Sequence, residues 1–234
     1  MNYQRIVVLT GAGISAESGI KTFRDSNGLW NDHTIEDVAT PQGFERCPQL
    51  VYDFYNARRK QLLSADVSPN LAHFALANIE KMIGNGLLLV TQNVDNLHER
   101  AGSKNVRHMH GVLQRARCIV SGKAINITGD FDQKLDCTCC YPSNRMRPDI
   151  VWFGEIPHYM DEIAEAISNC DLFVSIGTSG NVYPAAGFVA LANRAGAHSV
   201  ELNLEPSSGT NQFAQHHYGL ASVIVPRFFN TITN

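Results

Sequence analysis

Between Thr10 and Arg24 the chain reads TGAGISAESGIKTFR, and Gly11, Gly13 and Ala16 fall on a G-x-G-x-x-G/A spacing directly after the apolar run IVVLT, Ile6 to Thr10. Backbone approach to a diphosphate needs residues without bulk, and a helix N-terminus after such a loop favours an anion, so the spacing points to a dinucleotide. Taken alone, it also describes a plain tight turn from strand to helix. Redox enzymes of this type usually hold a ribose with an acidic residue about 20 positions on, at the end of a second strand. Asn31 to Asp37 reads as non-strand, which disfavours an ordinary hydride-transfer layout. The better ribose candidate is NLE, Asn203 to Glu205, at the end of a late strand where ligands of such sheets collect.

Three further groups carry chemistry. TQNVDNLH closes a buried run with Gln92, Asn93 and Asp95, and HMHG follows with His108 and His110. In a strand those two imidazoles would face the same side, and imidazole has the near-neutral pKa a general base needs. Asn93 and Asp95 also suit the cap of a helix from Asp95 to Arg100. In DFYNARRK, Tyr55 and Arg58 are three residues apart, hence neighbours on one helix face, where phenol and guanidinium together can grip a carboxylate. Arg59 and Lys60 read as solvent-facing. Four of the six cysteines, Cys118, Cys137, Cys139 and Cys140, share one segment, while Cys47 and Cys170 stand apart. In a reducing compartment such a cluster suggests metal before disulfide.

These residues need a scaffold. Apolar runs at Ile6 to Thr10, Leu87 to Gln92, Asp171 to Gly177, His198 to Asn203 and Ala221 to Val225 read as strands covered on both faces, hence a parallel sheet in an α/β layer. Helices are expected over Pro69 to Met82, with Leu71, Phe74, Ala75, Ile79 and Met82 on one stripe, over Tyr159 to Ile167 and over Pro184 to Arg194. Two excursions interrupt this Rossmann-like body: 29–68, mostly helical from Pro48 to Leu63, and the turn-rich 113–147. The expected division of the single 1–234 domain is therefore a Rossmann-like lobe of 1–28, 69–112 and 148–234, with 29–68 and 113–147 forming a smaller lobe. A net charge of −3 gives little general attraction for nucleic acid or an anionic membrane, and no apolar run approaches the roughly 20 residues of a bilayer span. The chain is expected to be cytoplasmic.

GAGIS with GIKTFR, TQNVDNLH, HMHG, VWFGE (Val151 to Glu155), GTS (Gly177 to Ser179) and NLE together resemble the sirtuins, the NAD-dependent protein lysine deacylases, in the family's order and over nearly the whole chain. The resemblance implies that Gly11, Ala12, Gly13, Ser15 and Ala16 cradle NAD, that Phe23 and Arg24 belong to a flap over its nicotinamide ribose, and that Trp30, Gln92, Asn93, Asp95, Gly177, Thr178, Ser179, Asn203, Leu204, Glu205 and Ala221 complete the cofactor site. It makes His110, with Asn93 and Asp95, the catalytic set. The acyl-lysine oxygen would add at C1′ as neutral nicotinamide departs, and His110 would then activate a ribose hydroxyl. Val151, Phe153 and Gly154 would wall the acyl-lysine tunnel and meet an extended peptide through the main chain, with Trp152 also readable as plain core. Lys21 and Thr22 replace the common Pro and Asp, and Tyr55 with Arg58 resembles the signature of the bacterial and mitochondrial class that removes succinyl and malonyl groups.

The family's structural zinc sits on two Cys-x-x-Cys pairs. Here Cys118 is followed by Ser121 where its partner belongs, while Cys137 and Cys140 keep the spacing. Serine is a poor zinc ligand, so the fourth position is open among water, a carboxylate such as Asp136, and Cys139, with loss of the metal and a packed ribbon as the alternative. The expected activity is NAD-dependent removal of acetyl and acidic acyl groups from protein lysines, releasing nicotinamide and 2′-O-acyl-ADP-ribose. The alternatives are mono-ADP-ribosyl transfer and a non-enzymatic NAD sensor.

Overall fold

The computed structural model describes residues 3–20, 29–30 and 33–233. Along the chain run β1 (Ile6–Thr10), β2 (Leu29–Trp30), β3 (His33–Thr34), α1 (Ile35–Val38), α2 (Pro41–Arg46), α3 (Pro48–Leu62), α4 (Leu71–Ile83), β4 (Leu87–Thr91), α5 (Leu97–Ala101), β5 (Val106–His108), β6 (Gly111–Cys118), β7 (Ala124–Asn126), β8 (Met146–Ile150), α6 (Met160–Ser168), β9 (Leu172–Ile176), α7 (Phe188–Arg194), β10 (His198–Asn203), β11 (Gln215–Tyr218) and α8 (Ala221–Thr233). They divide into two compact units, one from Met1–Thr22, Ser68–Met109 and Tyr159–Asn234, the other from Phe23–Val67 and His110–His158.

The first unit is a six-stranded sheet ordered β11-β10-β9-β1-β4-β5, parallel throughout. Read from β5, this is the doubly wound order in which the chain reverses direction between β1 and β9. Alternation along β1 sends Ile6 and Val8 to one face and Val7 and Leu9 to the other. Ile6 and Val8 pack with Ala72, Leu76 and Ile79 of α4 and with Val225, Phe228 and Phe229 of α8; Val7 and Leu9 pack with Ile163 and Ile167 of α6 and with Phe188 and Val189. Both faces are therefore covered, which is why the central strands read as unbroken apolar runs.

Two expectations for this unit are corrected. Ala221 to Val225 is the start of α8, not a strand; four apolar residues among five satisfy either geometry, and Val225, Phe228 and Phe229 bury at helical spacing while Val223 is exposed. The sheet position is filled instead by β11, whose polar sequence QHHY gave no apolar signal because this edge strand is mostly exposed. On α4 the expected stripe is rotated. Leu71 and Met82 are 63% and 62% exposed and Phe74 is exposed too, whereas Ala72, His73, Leu76 and Ala77 face inward; of the expected stripe Ile79 is buried and Ala75 packs against the core. Small alanines let α4 lie close against its neighbours, and a capping box, in which Asn70 and His73 exchange side-chain and backbone hydrogen bonds, turns His73 to the interior.

The second unit is built on the antiparallel sheet β7-β6-β8, beside the two-residue ladder of β2 with β3, so part of the Asn31 to Asp37 stretch does form strand. Because β8 pairs with β6, the unit extends on both sides of 113–147, to 110 and 158. Its core is aromatic. Tyr52 stacks with Phe131, Phe44 packs on Tyr52 and Trp152, and the Tyr52 hydroxyl donates to the Met146 carbonyl at 2.6 Å. Arg59, expected in solvent, is buried instead. Its guanidinium lies 5.1 Å from the Phe131 ring centre and donates to the Gly129 and Ile127 carbonyls, contacts that offset a cost of several kcal/mol for burying the charge unpaired.

Candidate functional site

Parallel pairing brings the carboxyl ends of the first unit's strands to one edge: Thr10 is level with Thr91 and Ile176, and Thr91 with His108. The loops after β1 and β9 meet there, at the point where the strand order reverses. A Cβ on Gly11 would lie 2.8 Å from the Gly177 carbonyl oxygen, one on Gly13 would lie 2.7 Å from the Gly177 Cα, and Gly177 has φ +63°. The glycines are thus already required by loop-to-loop contact, before any ligand is considered. Two single 3-10 turns, Ala12–Ile14 and Ala16–Ser18, with Ser15 between, take the place of the expected continuous helix. Gly19 ends the second turn in the left-handed region.

Buried polar side chains stitch this edge together. The Asn93 amide donates to the Gly11 carbonyl and to Ser15 Oγ, each at 3.2 Å, and the Ser15 hydroxyl donates to Asp95 at 3.1 Å. The other Asp95 oxygen accepts the Leu97 N–H at 3.0 Å, so Asp95 also holds the first residue of the short α5, whose N-cap is Asn96. Burial pushes the Asp95 carboxyl up, against the lowering effect of these two donors. Asn70 ties the same loop to α4, its amide donating to the Ile14 carbonyl and Ser18 Oγ. Thr178 and Ser175 share a hydroxyl contact at 3.0 Å and border a cavity of about 20 Å³ that Gln92 also lines; this holds about one water. The Asn203 side chain bridges the Thr178 carbonyl and the Leu204 N–H, while Leu204 and Glu205 are exposed. Ser179 accepts from Ser208 through its carbonyl. Ala221 opens α8, and there Glu17 accepts from both the amide and the hydroxyl of Ser222, a link with no sequence signal. Phe23 and Arg24 lie outside the described residues, and of Trp30 the backbone in β2 is described.

In the second unit, His110 lies in a turn after β5 has ended, so strand alternation does not carry from His108 to His110. The His110 carbonyl accepts the Val151 N–H at 2.9 Å. Gly111 is needed beside it because φ is +89° and a Cβ would sit 2.0 Å from the Asp149 carbonyl oxygen. Val151 to Glu155 forms a turn, with Gly154 at φ +88° and the Phe153 N–H donated to the Ala39 carbonyl. Phe153 is exposed and Trp152 buried; Trp152 is core, under the Arg147 guanidinium 3.3 Å from its ring centre. The Trp152 indole N–H donates to the Tyr55 hydroxyl at 2.9 Å, and burial pushes that phenol above its usual range. Arg58 lies 4.4 Å from the Phe54 ring centre on the same helix, while Phe54 packs edge-on against Tyr55. Glu155 holds the turn by accepting from Arg147, Arg117 and the Trp152 N–H; burial would raise its carboxyl, but the Arg147 hydrogen bond and the other partners carry it below the usual range.

The thiols of Cys118, Cys137, Cys139 and Cys140 all lie within 4.8 Å of one another. Zn–S bonds of about 2.3 Å in a tetrahedron put sulfurs about 3.8 Å apart. The Cys118–Cys140 and Cys139–Cys140 separations are 3.7 and 3.9 Å, so the donor set fits zinc. Ser121 Oγ is 3.0 Å from the Cys139 sulfur, supporting the extra thiol from the place a cysteine would have filled. Asp136 is not in the cluster.

The order of the sheet and the loops at its reversal point define a doubly wound α/β protein of the nucleotide-binding kind. The profile of the Sir2 family matches residues 11–184, and the chain belongs to that family. It is 61% identical over 224 residues, covering 96% of each chain, to an NAD-dependent protein deacylase of Pasteurella multocida strain Pm70. Among solved structures it resembles a Sir2 homologue mutant in complex with ADP-ribose, with TM-score 0.89 and 34% identity over 99% of this chain and 93% of the other. It also resembles a Sir2 mutant with a p53 peptide and NAD, with TM-score 0.80 and 28% identity over 99% and 94%.

Proposed function

We propose that the chain is an NAD-dependent protein lysine deacylase that removes acetyl, succinyl and malonyl groups, releasing nicotinamide and 2′-O-acyl-ADP-ribose. The observation that carries this reading is the buried connection of Gly11, Ser15, Asn93 and Asp95 at the sheet's reversal point, where an amide and a carboxylate are fixed beside a glycine turn. NAD supplies a C1′ made electrophilic by a nicotinamide that can leave as a neutral group. The protein contributes orientation and the exclusion of water.

Both protons of the Asn93 amide have acceptors within the fold, so Asn93 offers substrate its oxygen, and Asp95 its carboxylate. Gln92, Gly177, Thr178, Ser179 and the segment Asn203 to Glu205 serve the diphosphate and ribose, with Ala12, Ala16, Trp30 and Ala221 at the margins. Phe23 is assigned to cover C1′ and Arg24 to help position the cofactor loop, and His110 takes the proton from the ribose hydroxyl as general base. Val151, Phe153 and Gly154 line the acyl-lysine path, and Arg58 with the Tyr55 hydroxyl binds the far carboxylate of an acidic acyl chain. Zinc on Cys118, Cys137, Cys140 and Cys139 holds the shape of the second unit and takes no part in the reaction. Acylated proteins are the partners, consistent with a relative named a deacylase and a structural relative bound to a peptide. Among the described residues no helix is long and apolar enough to cross a membrane, and with six free cysteines we place the chain in the cytoplasm.

Acetylated and succinylated peptides incubated with NAD should give deacylated peptide, nicotinamide and acyl-ADP-ribose in equal amounts by mass spectrometry. A peptide heavier by ADP-ribose would convert the reading to ADP-ribosyl transfer. No nicotinamide from either peptide would remove it.

A further inference from the structure

His108 ends β5 and has no task in the reaction outlined above, yet its ring is buried and engaged at both nitrogens. Nδ1 lies 3.1 Å from the Asn93 carbonyl oxygen and Nε2 lies 2.7 Å from the Glu99 carboxylate. A carbonyl has no proton to give, so Nδ1 donates; a carboxylate accepts, so Nε2 donates as well. Neutral imidazole carries one N–H and cannot do both. The arrangement therefore selects the imidazolium, with Glu99 against it and the Asp95 carboxylate in its field. Burial opposes the charge, but the Glu99 hydrogen bond, that carboxylate's field and the Asn93 carbonyl outweigh it and raise the ring's pKa.

The contact falls on one residue whose hydrogen-bond donors are already committed. The Asn93 N–H donates to Thr91 Oγ1 at 3.0 Å and its amide to Gly11 and Ser15, which leaves the carbonyl to His108. Glu99 is on α5, whose first residue donates its N–H to Asp95, so one ring joins both ends of the Asn93 to Glu99 segment. We propose that His108 is a positioning residue: as a doubly donating cation between the Asn93 carbonyl and Glu99, it holds the Asn93–Asp95 turn in the shape that receives the nicotinamide ribose of NAD. This rests on the reading that Asn93 and Asp95 meet that ribose.

The test compares His108→Phe, which keeps ring volume without hydrogen bonds, with Glu99→Ala and Glu99→Gln at a 42% exposed side chain. His108→Phe and Glu99→Ala should each raise KM for NAD about ten-fold or more and change KM for acylated peptide less than about two-fold. Glu99→Gln keeps an acceptor oxygen and should stay within about three-fold of the parent. The double variant should be no worse than the worse single one. Nitrogen NMR of the parent at neutral pH should show His108 protonated at both ring positions, and Glu99→Ala should remove that signature. A singly protonated ring in the parent overturns the proposal, as does an unchanged KM for NAD, or an equal rise for both substrates, in Glu99→Ala. Should the parent release no nicotinamide, the deacylase reading fails on its own, and the ring signature with the NAD dissociation constants of the same variants still decides the clamp.

Discussion

The two units bury polar groups for different ends. In the first, the sheet body is apolar on both faces, and one group of its buried polar residues, Thr10, Ser15, Thr91, Asn93, Asp95, His98 and His108, gathers at one edge and bonds largely within itself. In the second, buried Arg59 and Arg147 lie against the aromatic core, and Arg147 is neutralised by Glu155. A unit with a large apolar core can concentrate its polar groups at one edge; a smaller core uses charge and metal to hold itself together. Substitutions in the first unit's polar edge cluster should therefore act mostly on activity, and those at the second unit's buried arginines and cysteines mostly on stability.

Metal removal should separate the units most. Zinc in small domains contributes about 10–16 kcal/mol of apparent binding energy, so a strong chelator should abolish amide-exchange protection in β6, β7 and β8 while β1, β4 and β9 stay protected. His110→Ala, in the same second unit but in a turn outside its core, should act on activity instead: turnover falls at least about 100-fold, roughly 3 kcal/mol or more, with the melting temperature unchanged. Turnover within a factor of a few would return His110 to a structural role. Glu155→Gln should cost about 3–5 kcal/mol in denaturant melts by stranding the buried Arg147, a loss that Arg147→Met in the same chain should partly relieve.

An exception inside the first unit sharpens the contrast. His73 and His98 are buried with ring centres 5.0 Å apart, and burial holds His73 down at about 4 and His98 well below its usual value. Unfolding lets both rings take up protons near 6.5, so stability is full above that pH and falls as pH drops toward 4. His73 alone accounts for about 3 kcal/mol of that loss, and His73→Gln should flatten the pH dependence of the melt between those values. The smallest effect concerns acyl choice. Arg58→Met should slow desuccinylation by about 10- to 150-fold, or 1.5–3 kcal/mol, and spare deacetylation; equal losses on both would refute a carboxylate role.

How much the sequence disclosed depended on what each segment touches. Strands covered on both faces announced themselves as IVVLT and LLLVT, and the glycine spacing marked the loop at the sheet's reversal point. β11 escaped because an exposed edge strand needs no apolar residues, and ASVIV misled because a short apolar run carries no period. Spacing located Cys118, Cys137 and Cys140, but no local rule could bring Cys139 to Ser121 or decide its place as fourth donor; that needed the turn that folds them together. Arg59 was unreadable for the same reason, since the carbonyls that receive it lie about 70 residues downstream.

Gly11, Gly13 and Gly177 interlock, and each would collide with another's backbone on gaining one carbon. No compensating exchange exists among them, since every substitution adds bulk to a space already filled by main chain. Any change in what the protein accepts must therefore fall at other positions, while the backbone of this loop crossing stays fixed.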